Sequence, residues 1–207
     1  MTFTFLLKSL GACSEAVQWR GKRDLKTTWA ECERGDWMLW LCAYMADAPG
    51  WPTRPEITSA ACDCAELSLE IFEKEYPNDK RPRVAIETAR KWVNGEATVE
   101  KVRSAAAACA NAVANTTPST AAVNTTPSTA AVYAATAIVY ATAGACATTS
   151  AASSSYADVY AATAVVYYAS RTARASAVVC ATTATAERLR ECADICRAKL
   201  KVPEMKS

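Results

Sequence analysis

The arrangement of hydrophobic and polar positions in the first half of the chain predicts a series of helices. In one short run, four large side chains follow one another at i, i+3, i+4 and i+7, the spacing of one helix face: Trp37, Trp40, Leu41 and Tyr44. Asp36 stands directly before this run and is a suitable N-cap residue. We therefore predict a helix that begins after Asp36 and stops before Pro49.

Capping signals predict longer helices further along the chain. Thr53 and Glu56 have the spacing of a capping box, with a proline in the first turn, and predict a helix that runs to about Glu75. The next helix opens near Asp79, and Asn94 followed by glycine ends it. Asp24 and Thr98 are predicted to cap two of the other helices, and residues 203–207 are predicted to be a frayed end. The complete set of predicted helices is 12–20, 25–32, 37–45, 54–75, 80–93, 99–113, 127–143, 155–175 and 182–201.

These helices predict an all-α fold, a single-domain array over residues 1–207. Glycine and proline are sparse, with 6 and 8 copies, and no stretch shows the period-2 alternation typical of strands. Val84, Ile86 and Ala89 mark the side of their helix that we expect to be buried. We predict that the first helices pack around one common core, which contains Trp29, Trp37, Trp40, Phe72, Ile86 and Trp92.

The second half of the chain is almost free of charge. Residues 104–170 carry one charged side chain, Asp158, and the nonapeptide 115–123 is repeated without change as 124–132. We interpret 1–114 as a helical array, 115–132 as a duplicated linker, and 133–207 as Ala-, Thr- and Tyr-rich helices followed by a charged C-terminal helix. A membrane hairpin over 128–147 is the alternative, but alanine and threonine insert weakly into lipid, so no membrane is expected.

Composition limits the chemistry that the chain can perform. It contains no histidine, which removes the commonest general base and the commonest zinc ligand. The net charge of +2 is too small to indicate a nucleic-acid partner. We predict that the protein is not an enzyme and has no catalytic residues or cofactor, with catalysis by carboxylates alone as the remaining enzymatic alternative.

Ten cysteines are present, and most stand where alanine would also fit. The start of the chain, 1–8, has no basic region and only a short apolar run, so we expect reduced thiols in a cytoplasmic setting. Cys62 with Cys64, and Cys192 with Cys196, offer four thiolates for zinc. Positions two apart on a helix do not face each other, however, and we predict no metal site.

Two local features are candidates for binding. Trp37 and Trp51 would act if they were exposed at a groove, and the alternative is that they fill the core. Arg81 and Arg83 begin a helix, where they would attract an acidic patch on a partner protein or a phosphate. The alternative for both arginines is ordinary ion pairing with nearby carboxylates such as Asp79.

Residues 10–114 also resemble a known family. The resemblance is carried by residues 11–17, by Trp29 and residues 32–41, by residues 81–92, and by residues 95–98. This pattern resembles the Imm-five-like putative immunity proteins. The Ala-rich second half is compatible with that family but diverges through its nonapeptide duplication and its richness in threonine and tyrosine.

The resemblance implies a cytoplasmic, non-enzymatic immunity protein that binds and neutralises a toxin partner. Such a protein acts through shape and charge complementarity and needs no catalytic group. The alternative is a structural or regulatory helical interaction protein with no toxin partner. That protein would form a homo-oligomer through its Ala- and Tyr-rich face.

Overall fold

The fold is all-α, as predicted, throughout the part of the chain that the structure describes. A computed structural model describes residues 2–102, 104–105, 108 and 183–204, and these residues contain no strand. The predicted linker 115–132, the helices 127–143 and 155–175 and the alternative membrane hairpin lie outside the described residues. The helices with defined bounds are α1 (Phe3–Ser9), α2 (Ser14–Arg20), α3 (Leu25–Glu31), α4 (Gly35–Tyr44), α5 (Arg54–Glu75), α6 (Arg81–Val93) and α7 (Thr183–Lys199).

The first helix, α1, was not predicted. Thr2 caps it by accepting a hydrogen bond from the Phe5 amide, and Phe3, Leu6 and Leu7 form its buried face. These three positions have the i, i+3, i+4 spacing of a helix, but a seven-residue segment is too short to stand out in a sequence. Packing against Trp51 and other apolar side chains stabilises it.

Capping at the next two helices follows the sequence. Asp24 accepts the amide hydrogen of Thr27 at 2.7 Å and begins α3, as predicted, while α2 ends at Gly21. Residue 98 was also predicted as a cap, and the Thr98 hydroxyl accepts the Lys101 amide hydrogen at 3.4 Å. Residues 99–102 are accordingly helical.

The prediction for α4 was wrong in two respects. Asp36 does not cap the helix, which begins at Gly35; its carboxylate accepts two hydrogen bonds from Arg34 instead. The buried side chains are not confined to the predicted face of Trp37, Trp40, Leu41 and Tyr44, because α4 packs between two clusters. Met38, Leu39 and Cys42 point to one cluster and Leu41 to another.

The central pair of helices, α5 and α6, follows the predicted bounds closely. The capping box is present: the Thr53 amide donates to Glu56 at 2.8 Å, and the Glu56 amide donates to the Thr53 hydroxyl at 3.4 Å. Ile86 and Ala89 are buried as expected, but Val84 is 49% exposed, so its assignment to the buried side was wrong. The register of α6 on α5 turns Val84 outward.

The C-terminal helix α7 packs across α4 and α5 and completes the core. Arg197 donates to the carbonyl oxygen of Cys32 at 2.7 Å and so caps the C-terminal end of α3. Lys199 and Arg90 both bind the carboxylate of Asp63, which joins α7, α6 and α5. The predicted frayed end is wrong for its first two residues: Pro203 is buried, and the Glu204 amide donates to the Gly50 carbonyl at 2.9 Å. Residues 205–207 lie outside the described residues.

Within the described residues the core consists of three clusters, and the prediction of one common core was wrong. Trp29 lies inside the largest cluster, between α3, α4, α5 and α7, and Trp37 packs against it. Ile86 belongs to a second cluster between α5 and α6, with Trp92 against it, and Trp40 packs against the third. The side chain of Phe72 lies outside the described residues.

Candidate functional site

A groove lies beside the loop that joins α5 to α6. Its volume is about 760 Å³, and it is lined by residues 76–81, Val84, Ala105 and Ala108. The loop and the first turn of α6 form one wall, while the helical residues 105 and 108 form the other. Of the lining residues, Pro77, Asn78, Lys80, Val84 and Ala108 are exposed.

A turn and an ion pair fix the shape of this loop. The Asp79 amide donates to the Tyr76 carbonyl at 3.0 Å, which closes the turn after α5. The Asp79 carboxylate then accepts from the Arg81 amide at 3.1 Å, from its Nε at 2.9 Å and from its Nη2 at 2.5 Å. Hydrogen bonds from Arg81 lower the pKa of Asp79, so the carboxylate is ionised at neutral pH.

The second carboxylate of this region, Glu73, binds two other cations. Arg83 donates to it through Nε at 2.7 Å and Nη2 at 2.5 Å, and the Lys80 ammonium lies 3.5 Å away. The hydrogen bond from Arg83 lowers the pKa of Glu73. Three cations and two carboxylates therefore meet here, and their summed charge is +1.

Of the predicted pair, Arg81 lines the groove and Arg83 does not. The pairing of Arg81 with Asp79 was foreseen as the structural alternative, whereas Glu73 as the partner of Arg83 was not. Both guanidinium groups are fixed by carboxylates, which reduces their attraction for a doubly charged phosphate. This part of the surface therefore carries a small net positive charge, and the carboxylates hold its guanidinium groups in fixed positions.

Trp37 lies in a different part of the molecule, in a group of aromatic rings and arginines. Its ring meets Trp19 edge-on, with centroids 6.0 Å apart, and the Arg34 guanidinium lies over it at 4.3 Å. Arg23 covers Trp19 in the same way at 4.9 Å. The contact of Trp19 with Trp37 was not predicted, because α2 and α4 are brought together only by packing. Arg34 was not predicted as a neighbour either, although it stands only three residues before Trp37 in the chain.

Trp51 does not offer the exposed ring that a binding role needs. It is 9% exposed and packs in the third cluster with Phe3, Leu6 and Leu7 of α1. Because α1 was not predicted, nothing in the sequence showed what would cover Trp51. The structure therefore places Trp37, Trp51 and Arg81 in three separate places, and they do not form one site.

The cysteines in the described ranges form no disulfide with one another, and all of them except Cys13 are buried. Cys62 Sγ faces the Ile86 carbonyl at 3.8 Å, whereas Cys64 Sγ faces the Cys192 carbonyl at 3.7 Å, so the two thiols point into different clusters. Among the described residues, no group of three or more cysteine, aspartate or glutamate side chains is arranged to hold a metal ion. Burial raises the pKa of the Cys42 thiol to about 12, which keeps it protonated.

Five carboxyl groups of the described residues have a clearly shifted pKa, and each shift is downward: Asp24, Glu56, Asp63, Glu73 and Asp79. A general acid at neutral pH needs a raised carboxyl pKa. These five groups are instead ionised acceptors for cations and helix amides. No helix within the described ranges is long and apolar enough to cross a membrane.

The described part is thus an all-α protein with a fixed, weakly positive groove beside the start of α6. The chain belongs to the Imm-5 like putative immunity protein family, whose model matches residues 53–198, more than half of the sequence. No curated protein and no solved structure matches it.

The matched region differs from the one in which the resemblance was seen. The matched region begins at the capping box of α5 and continues through the charge-poor segment into α7. Residues 11–41, which carry part of the resemblance, lie before it. The groove and the predicted residues Arg81 and Arg83 lie inside the matched region. Trp37 and Trp51 lie outside it. Membership implies a protein partner in general terms.

Proposed function

We propose that the protein is a cytoplasmic, non-enzymatic immunity protein that binds a protein toxin and neutralises it. Family membership supports a protein partner, and the groove beside α6 is the single structural observation that carries the proposal. Neutralisation requires only that the toxin be covered by a complementary surface, so no catalytic group is needed.

The fixed side chains of the groove support binding of a protein. Arg81 is held by three hydrogen bonds from its own backbone and side chain to Asp79, so it loses little freedom when a partner docks. Val84 adds an exposed apolar side chain next to these charges. Arginine is one of the residue types enriched among those that contribute most to the binding energy of protein interfaces.

The proposal is tested by capture of a partner from the native cells. The full chain carries a tag, the eluate is analysed by mass spectrometry, and light scattering after size exclusion gives the oligomeric state. We expect one stoichiometric partner that arrests growth when it is expressed alone, and growth that resumes when the chain is co-expressed. A homo-oligomer without a partner would contradict the proposal and favour the structural alternative.

The role of the groove is tested with the captured partner. The double substitution Arg81→Ala and Arg83→Ala should weaken binding by about tenfold or more, since Arg81 lines the groove and Arg83 carries an exposed positive charge two residues further along the same helix. Arg188→Ala with Arg190→Ala is the matched control, because these arginines make exposed ion pairs on α7. Unchanged affinity after loss of Arg81 and Arg83 would exclude this surface while leaving the immunity role intact.

A further inference from the structure

We infer that the groove takes an extended segment of a partner in which a carboxylate stands next to a branched apolar side chain. This inference rests on the proposed function and specifies its partner. It concerns the chemistry of the occupant, which neither the family nor the fold defines. Three properties of the groove carry the inference: its charge, its exposed apolar surface and its dimensions.

Charge is the first property. The described residues that line the groove include two cations, Lys80 and Arg81, and one carboxylate, Asp79. That carboxylate is covered by three hydrogen bonds from Arg81, while the Lys80 side chain is 56% exposed and lies 3.5 Å from its nearest carboxylate. The groove therefore presents a net positive surface to an occupant, and a carboxylate complements it.

The second property is the apolar surface beside these charges. Val84 is one of the few large hydrophobic side chains that the described residues expose, at 49%. It stands one helical turn beyond Lys80 and faces the same groove, with Pro77, Ala105 and Ala108 around it. Covering Val84 with a branched apolar side chain removes both from water. A phosphate or a nucleic acid would leave this surface bare.

The dimensions also favour a chain segment. A volume of about 760 Å³ holds several residues, and the opposite wall is made by small alanine side chains that let a backbone approach. The occupant that fits is an acidic, apolar peptide segment of a folded partner. A basic or wholly apolar segment would leave either the positive charge or Val84 without a complement.

The test uses the full chain and random peptides displayed on phage. We expect selection to enrich peptides in which aspartate or glutamate stands next to valine, isoleucine or leucine. Binding of these peptides should fall by about tenfold or more in the variant Lys80→Glu with Val84→Asp, equivalent to about 1.4 kcal/mol. Added salt should also weaken it, because exposed charges are screened. Both substituted side chains are exposed, so the fold should be kept.

The matched control is Lys8→Glu with Phe5→Asp, a lysine and an exposed apolar residue on α1. Full peptide binding by this variant is expected. Absence of enrichment, enrichment of neutral or basic peptides, or unchanged binding by the groove variant would overturn the inference. Light scattering of the unliganded chain that showed a dimer broken by Val84→Asp would also overturn it, because a second copy would then be the occupant.

The two proposals fail separately. If a captured toxin binds the Lys80→Glu, Val84→Asp variant as tightly as the wild type, the inference about the groove is wrong and the proposed immunity function is unaffected. If phage selection enriches acidic peptides but no toxin partner is captured from the cells, the binding chemistry is supported and the proposed function is wrong.

Discussion

The backbone of Gly35 lies directly against Cys192, so closely that a Cβ atom at position 35 would stand 2.6 Å from the Cys192 carbonyl carbon. The amide nitrogen of Ala193 would be equally close. This contact joins the first residue of α4 to the middle of α7. It explains why the first residue of α4 is glycine, although glycine is a poor helix former.

Gly35→Ala should therefore destabilise the protein although alanine favours helices. The added methyl group meets backbone atoms that cannot rotate away, and such overpacking typically costs about 1–3 kcal/mol. Urea unfolding at neutral pH measures the change. Gly95→Ala is the control, because a Cβ there meets nothing within 4 Å and only the positive φ of 77° opposes it. A loss well below about 1 kcal/mol in Gly35→Ala would mean that α4 and α7 do not approach this closely.

Asp63 should make stability depend on pH in the acid range. Burial acts to raise the pKa of this carboxyl group, but hydrogen bonds from Lys199 and Arg90 outweigh it, and the pKa lies below the ordinary value of 3.8. A lowered pKa in the folded state stabilises the protein above that value, and the benefit disappears as the pH falls through the folded pKa.

Asp63→Asn should thus cost about 1 kcal/mol at neutral pH, since the ion pairs are partly exposed. The difference between variant and wild type should shrink towards zero well below pH 3.8. Urea unfolding across this range is the measurement, with Glu191→Gln as a control that removes an exposed pair on α7. A difference that stays constant with pH would show that Asp63 is not ionised in these contacts.

The buried thiols should react far more slowly than Cys13. Cys42 is fully buried, and burial raises its pKa to about 12; contact with Cys64 together with burial also raises the pKa of Cys192. Since the thiolate is the reactive form, alkylation of Cys42 should be at least about a hundredfold slower than that of the partly exposed Cys13. Peptide mapping after timed iodoacetamide treatment gives both rates. Equal rates in urea are the control, and equal rates in the native protein would contradict the burial.

Trp29 and Trp37 should differ in their contribution to stability. Trp29 is 3% exposed inside the largest cluster, so Trp29→Ala should cost about 3–5 kcal/mol. Trp37 is half-buried, and Trp37→Ala should cost less. Trp29→Phe should keep most of the stability, because the indole nitrogen of Trp29 has no hydrogen-bond partner among the described residues. Thermal or urea unfolding of the three variants distinguishes them, and a severe loss in Trp29→Phe would indicate a hydrogen bond at that nitrogen.

Local signals in the sequence predicted the structure correctly where it depends on contacts between residues that are close together in the chain. The capping box of Thr53 and Glu56, the Asp24 cap and the end of α6 at Asn94 depend on contacts within a few residues, and each is confirmed. The pairing of Arg81 with Asp79 belongs to the same class, because the two residues are neighbours in the chain. Arg81 was predicted as a binding candidate from its place at the start of a helix, but the groove that it lines was not predicted.

Predictions of burial and of side-chain contacts were wrong or missing where they depend on helices that are distant in the sequence. Val84 fits an apolar helix face, but it is exposed because α5 covers the opposite side of α6. Trp51 is buried by α1, which starts almost fifty residues earlier. The contact between Trp19 and Trp37 and the packing of α7 on Gly35 likewise depend on tertiary structure, which periodicity along one segment does not report.

The position of α7 also has a consequence for synthesis of the chain on the ribosome. Cys64 and its contact Cys192 are 128 residues apart, and Arg197 reaches Cys32 across 165. At about 5–20 residues per second, translation takes roughly 6–26 s to travel from Cys64 to Cys192. During that interval, α7 does not yet cover the surface of α4 and α5 on which it packs in the folded protein. We therefore expect the nascent chain to bind chaperones through this apolar surface until α7 emerges.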